Sequence, residues 1–477
     1  MQTAVVSHRW LGLIAASGGM FLGAVDITVN VALPEITGYF GTDLETIRWI
    51  IIAYLGSTTG LQLTLGSGAD RYGLKRFYLL GLAAYTAAVL LIGLAPSLSA
   101  VVGLRVLQAV GNGLILATAP ALVSGLFPPE ERGRALGIMG AIGTLGMLTG
   151  ALGGGLLVEA FGWQSIFLGR LPFCGVIALL AVVTLRADPV RRDARGFDVP
   201  GAVTLFAGLM ALVLFASLGA QHGWTSALSL SLLIAGVASL AGFVFIERSA
   251  ASPVLDLALV RDRMVSLPVA TAFLMNFATF VNLFILPFFV SDVIAGGALA
   301  LGIVLMLNPA VGTLSSPAGG WLSDRISPAY LCTAALCLMG ASLLWTAMLD
   351  EGASVLDVSL RVGLMGLGMG AFQAASSTLI MNRVPQEQHG AGASILSLGR
   401  SMGTVSSVAL MAAFFAWRLA SQGAAAEPPE VVGAVTTEYA GAFVAAFRQT
   451  YLTAAALIGV GVALSVAYWP RFTTRRV

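Results

Sequence analysis

The chain has 477 residues, 57% of them hydrophobic and 10% charged, with 57 glycines and a net charge of +2. Soluble domains carry about 25% charged residues, so the composition excludes an ordinary soluble enzyme, and the near-neutral balance gives no reason to expect nucleic acid as a partner. Long unbroken apolar runs, in place of alternating ones, exclude a β-barrel and predict an all-α polytopic membrane protein.

In chain order the apolar runs fall at 11–34, 47–67, 77–95, 98–125, 135–158, 165–185, 199–220, 227–246, 266–290, 297–319, 330–349, 356–382, 391–417 and 449–469. That predicts about 14 transmembrane helices. With the amino terminus inside, the inner loops collect most of the basic residues, among them Arg71, Lys75, Arg76, Arg132, Arg191, Arg261, Arg325 and Arg475. The outer loops hold only Arg48, Arg418 and Arg448. This asymmetry predicts a multi-pass protein of the cytoplasmic (inner) membrane with both termini cytoplasmic. Residues 1–9 are too short for a cleaved signal. Cys174, Cys332 and Cys337 form no CxxC pair, and His8, His222 and His389 are scattered. No metal site, disulfide framework, catalytic cluster or bound cofactor is therefore expected.

The first run contains Asp26, an ionisable group at a depth where charge costs several kcal/mol unless it is neutralised, paired or in water. Gly19, Gly23, Asp26 and Asn30 share one helical face. The fourth run carries Arg105, Gln108 and Asn112 as a second polar stripe. Both stripes fall in the outer half of the bilayer, so Asp26 and Arg105 are expected to be neighbours or linked through water. Arginine does not release its proton, which leaves Asp26 as the candidate proton carrier. A static pair that only stabilises the bundle is the alternative. The expectation for Asp26→Asn is lost proton coupling with expression largely intact. Arg170, near an outer end, is expected to snorkel. Arg400 lies deeper, with no evident partner. One buried acid against four arginines in the spans suits neutral, monocationic or anionic lipophilic substrates better than dications.

The chain also repeats itself. Gly66, Asp70, Arg71, Gly73 and Arg76 follow the second run, and Gly320, Asp324 and Arg325 follow the tenth. Arg105 and Arg361 recur at nearly the same offset. This predicts two parallel six-helix halves, 1–186 and 264–477, with a linker and two inserted helices at 187–263, and a substrate site at the repeat interface. Gly140, Gly143, Gly146, Gly150 and Gly153 line one face of the fifth run, with Gly154 beside them, for static packing or for gating. In the ninth run Phe273, Phe277, Phe280, Phe284 and Phe288 form either an aromatic cavity wall or a lipid-facing stripe. Asn276 and Gln373 are candidate cavity amides, because unpaired amides do not face lipid.

The sequence Gly66-Ser-Gly-Ala-Asp70-Arg71-Tyr-Gly73 resembles the signature loop of the major facilitator superfamily. Leu22-Gly-Ala-Val-Asp26-Ile-Thr28-Val-Asn30-Val-Ala32-Leu33-Pro34, Trp49-Ile-Ile-Ile-Ala53-Tyr54-Leu55, Phe197-Asp198-Val-Pro-Gly201 and Pro253-Val-Leu-Asp-Leu257 are similar to motifs of its fourteen-helix drug:proton antiporter family. Departures stand at Leu74, at Ala109 after Gln108, at Ala151 where the family's Gly-Pro pair would place proline, and at Arg170 where an asparagine is usual. The resemblance implies the major facilitator fold and proton-coupled export of small lipophilic or amphipathic compounds by alternating access. A permease for one metabolite is the alternative. Taken with the polar stripes above, the resemblance makes Asp26 and Arg105 the expected proton-coupling pair, and Asn30, Gln108, Asn112, Asn276, Phe277, Phe280 and Gln373 the expected lining of the substrate cavity. It assigns gating to the signature loop and its repeat, and to Gly146, Gly150 and Gly154. The implied partners are a small-molecule substrate and the bilayer, with the protein working as a monomer.

Overall fold

The structure is a computed structural model that describes residues 2–58, 61, 73–185, 199–248, 259, 261–279, 281–323, 325–384, 389–422, 437–467 and 469. Every regular element among these residues is helical. The first half contains α1 (Gln2–Val25), α2 (Thr28–Phe40), α3 (Leu44–Ile47), α4 (Trp49–Thr58), α5 (Leu74–Gly93), α6 (Leu98–Leu126), α7 (Pro129–Phe161), α8 (Ser165–Leu168) and α9 (Leu171–Thr184). After α10 (Val199–His222) and α11 (Ala227–Glu247) come α12 (Arg263–Thr279), α13 (Val281–Phe288) with a π-turn at Phe289–Val293, α14 (Ala298–Ser323), α15 (Pro328–Thr346), α16 (Val355–Arg383), α17 (His389–Ser421) and α18 (Thr437–Ala467).

Twelve spans among the described residues are long and apolar enough to cross a membrane. The shorter apolar helices Trp49–Thr58 and Val203–Phe215 fall on the second and seventh expected spans. The outer faces are as apolar as the core: Phe173, Val176, Leu179 and Val183 recur every three or four residues on α9, and all are exposed. Such a surface is stable only against hydrocarbon. Many hydroxyls in the spans bond within their own helices, as where Thr37 donates to the Leu33 carbonyl at 2.8 Å and Thr118 to that of Leu114 at 2.7 Å.

Two compact units divide the chain. One comprises Met1–Ala32, Trp49–Ala211 and Ile234–Val254, and the other Leu33–Arg48, Leu212–Leu233 and Leu255–Val477. In the first unit α1 packs on α6, α7 and α9. In the second α12 packs on α17 and α18, and α14 on α16.

The first span differs from the single helix over 11–34 that the sequence suggests. It breaks at Asp26–Ile27, where the amides of both residues reach back only three residues, to the carbonyls of Gly23 and Ala24 at 3.4 Å each. It then runs beyond Pro34 to Phe40. Proline removes one hydrogen bond, which kinks a helix without ending it. The stop comes instead at Gly41, whose φ of +58° is the left-handed conformation that terminates helices.

Candidate functional site

Asp26 lies at the break in the first span, where the helix no longer uses every local donor and acceptor, and it is only 6% exposed. From α6, Arg105 Nη1 donates to Asp26 Oδ2 at 3.1 Å and Gln108 Nε2 donates to Oδ1 at 3.0 Å. The spacing of Arg105 and Gln108 puts both on one face of α6, and a 2.7 Å bond from Arg105 to Gln108 Oε1 joins them. Arg105 also donates through Nε to the Ile50 carbonyl at 3.2 Å and lies over the Tyr54 ring at 4.1 Å. Tyr54 in turn accepts from Asn112 Nδ2 at 2.8 Å. Gly23 is required here, because a Cβ at that position would overlap the Asn112 side chain.

The second cation is Arg170, which does not snorkel. It is 4% exposed, and its Nη1 donates to Asp26 Oδ1 and, at 3.1 Å, to the Tyr85 hydroxyl. Its Nη2 donates to Thr28 Oγ1 and, at 3.5 Å, to the Val25 carbonyl, both flanking the break. Arg170 stands at the start of α9, two residues after the short helix α8. Two guanidiniums therefore converge on one carboxylate, leaving the cluster with a net positive charge while Asp26 is ionised. The signals that could have located Arg170 are its position where the resembling family has asparagine and the tyrosine pair on α5. Tyr78 and Tyr85 donate to the carbonyls of Ala15 and Leu22 on α1 at 2.6 and 2.8 Å, two matched contacts one heptad apart.

Other expected site residues are placed as follows. Asn30 is buried and donates to the Ile27 carbonyl at 3.2 Å. Asn276 is buried and donates to Ala272 within its own helix at 2.9 Å. Gln373 contributes its backbone carbonyl, which accepts from Ser377 at 2.8 Å and from Arg400 at 3.2 Å. Phe277, Phe284 and Phe288 are buried, which removes the lipid-facing alternative for those rings. Phe280 lies outside the described residues, as do Gly66, Asp70, Arg71 and Asp324. Gly73 has a φ of 101° at the start of α5, a conformation that favours glycine. Arg76 is exposed, and Arg325, also exposed, stacks 3.6 Å over the Trp321 ring.

The glycines of α7 separate into two groups. A Cβ at Gly146, Gly150 or Gly154 would lie 2.6 Å from the Phe21 carbonyl, 2.7 Å from the Val25 carbonyl and 2.8 Å from the Thr28 side chain, respectively. These three therefore let α7 seat directly on the broken segment that carries Asp26. Gly140 and Gly143 have nothing within 4 Å, as has Gly320 on α14.

A bundle of apolar helices with an acid held at a helix break between permanent cations defines a polytopic membrane transporter. The chain belongs to the Major Facilitator Superfamily, whose family match covers residues 15–408. It is 32% identical over 408 residues to the multidrug resistance protein Stp of Mycobacterium tuberculosis, covering 85% of this chain and 76% of that protein. It is 29% identical over 468 residues to the riboflavin transporter RibZ of Clostridioides difficile, covering 97% and 98% of the two chains. Among solved structures, a bacterial homologue of the human lysosomal transporter Spinster matches 98% of each chain with a TM-score of 0.69 at 17% identity. That likeness concerns the fold alone.

Proposed function

We propose that the protein is a proton-coupled antiporter of the cytoplasmic membrane, both termini inside, which exports small lipophilic or amphipathic compounds by alternating access. The observation that carries this proposal is the Asp26 cluster. In it one carboxylate accepts from Arg105, Arg170 and Gln108, and of these four side chains Asp26 is the one that can take up and release a proton, since arginine stays charged and the glutamine amide does not ionise. A proton on Asp26 removes the charge to which both guanidiniums are bonded. The four groups are then held less firmly at the point where the first span is broken. Protonated and ionised Asp26 thus favour different arrangements of the same helices, and a bound substrate acts on that equilibrium through its own differential affinity. No cofactor enters; the coupling ion is H+. A monomer contains the whole cluster.

The likeness to a multidrug resistance protein supports export of foreign compounds. The likeness to a riboflavin transporter along nearly the whole chain favours a second reading, a proton-coupled permease for one metabolite. Purified protein in proteoliposomes, with an imposed pH gradient and a panel of drugs plus riboflavin, tests both. The expected result is accumulation of several panel members against their gradients, with Asp26→Asn, matched for folded protein, reduced to leak. Uphill transport retained by Asp26→Asn would remove Asp26 from the proton pathway. Saturable accumulation of one compound alone would select the single-metabolite reading.

A further inference from the structure

The second unit holds a cation that the Asp26 mechanism does not use. Arg400 lies on α17, about 16 Å of helix rise beyond His389, and its side chain is half-buried. Its Nη2 donates to Ser376 Oγ at 2.8 Å, to the Gln373 carbonyl at 3.2 Å and to Ser377 Oγ at 3.3 Å, all on α16. Both serine hydroxyls donate in turn to the Gln373 carbonyl, at 3.3 and 2.8 Å, which fixes their lone pairs toward the arginine. None of these acceptors carries a charge. Among the described residues no acid pairs with Arg400, and its Nε is buried with no hydrogen-bond partner. The guanidinium is therefore held in position without being neutralised.

An arginine presents its donors as a planar fork that matches a carboxylate or phosphate edge. With Nη2 anchored and no hydrogen bond from Nη1 among the described residues, part of that fork remains to donate. A cation within a membrane span is costly unless it meets an anion or water, and among the described residues no acid meets this one. We infer that Arg400, braced by Ser376, Ser377 and the Gln373 carbonyl, is a binding site for the anionic group of the transported compound, and that preferred substrates are amphipaths with an ionised acidic group. This rests on the exporter reading above and narrows its substrate class. Exchange of an entering proton for a departing anion moves charge in the sense favoured by an inside-negative membrane potential at both steps.

The test compares three probes built on one ring system: 2-naphthoate, neutral 2-naphthamide and trimethyl-(2-naphthyl)ammonium. Binding to the full chain in nanodiscs, with no pH gradient, is read by fluorescence. Because a charge-assisted hydrogen bond is stronger than a neutral one, naphthoate is expected to bind about tenfold tighter than the amide, with the ammonium weakest. In Arg400→Met that preference is expected to shrink to about twofold or less, and in Ser376→Ala by a smaller factor. Equal binding of the three probes by the wild-type chain, which needs no variant to fold, overturns the proposal. So does a naphthoate preference that survives in folded Arg400→Met. If naphthoate is preferred but no probe is concentrated by a pH gradient, the antiporter reading falls and the anion site stands. If all three are transported uphill without preference, the anion site falls alone.

Discussion

In the first unit the broken span presents Asp26 to Arg105, and the sequence offset that pairs Arg105 with Arg361 pairs Asp26 with Asn282. The two positions have diverged in chemistry. Asn282 is buried, accepts from the Tyr451 hydroxyl and donates to the Met365 sulfur at 2.9 Å, so its partners are neutral. Arg361 does not reach it. It lies 5.2 Å from the Trp345 ring, and its backbone carbonyl accepts from Ser342 at 2.7 Å. What the units share is close helix packing. Gly146 and Gly150 seat α7 on α1, as Gly399 and Gly403 seat α17 on α12. The helix contacts are alike in the two units, while at this paired position an acid stands only in the first. Only there can a proton change the charge of the centre.

The strongest way to break that contrast is to neutralise the acid. Asp26→Asn leaves two buried guanidiniums facing a neutral amide, and removing one partner of a buried ion pair costs about 3–5 kcal/mol. The variant is expected to unfold several degrees earlier in detergent. This differs from the largely intact expression anticipated from one acid and one arginine, because Arg170 adds a second stranded charge. Adding Arg170→Met removes one of the two and is expected to recover part of the loss without restoring transport. Thermal unfolding of the single and double variants gives the coupling directly. Equal stability of Asp26→Asn and wild type would show that the ionic cluster does not hold the first unit together.

The next effect tests what the units have in common. In Gly150→Ala the new methyl would sit 2.7 Å from the Val25 carbonyl and 2.9 Å from its Cα, both backbone atoms. In Gly403→Ala it would overlap the Phe273 carbonyl. Neither backbone gives way cheaply, and overpacking costs about 1–3 kcal/mol. Both variants are expected to lower the unfolding temperature by similar amounts. Gly140→Ala meets nothing within 4 Å and is expected to be neutral or stabilising by up to about 1 kcal/mol, since alanine is the better helix former. A destabilised Gly140→Ala, or a tolerant Gly403→Ala, would contradict the shared packing.

These contrasts mark what the linear sequence carries. Apolar length expresses the thickness of a bilayer and the repeated Gly-Asp-Arg segments an internal repeat, so the helical architecture was legible. The stripe of Arg105 and Gln108 was legible because helical periodicity puts them on one face. Arg170 was not, because its place near an outer end suggested snorkelling, and its contacts with Asp26 and Tyr85 arise from tertiary packing that has no periodic signature. The break at Asp26 was also hidden. Thr28, Val29 and Ile27 are compatible with continuous helix, and the interruption depends on tertiary partners: Arg170 reaching the Val25 carbonyl and the Gly150 contact against Val25. Asn276 and Gln373 were read as cavity amides from their polarity; Asn276 donates to the Ala272 carbonyl in its own helix, and the backbone carbonyl of Gln373 accepts from Arg400, a contact that no side-chain pattern announces.

The finest distinction between the units lies in their tyrosines. Tyr451 gives its hydroxyl to Asn282, a neutral contact, while Tyr85 donates to the Leu22 carbonyl at 2.8 Å and accepts from Arg170 at 3.1 Å. Replacing either by phenylalanine keeps the ring and removes a buried hydrogen-bond group, at a cost of about 1–2 kcal/mol. If charge matters only in the first unit, the two variants part company in function and not in stability. Tyr85→Phe frees one of the contacts that aim Arg170 at Asp26, so the pH dependence of uphill transport is expected to move. Tyr451→Phe touches nothing that titrates near Asp26, so its profile is expected to superimpose on that of the wild type at reduced stability. Initial rates in proteoliposomes across pH 5–9, normalised to folded protein, separate the cases (the range spans about two units either side of neutral). A profile that shifts in Tyr451→Phe as much as in Tyr85→Phe would mean that the neutral centre of the second unit takes part in proton coupling after all.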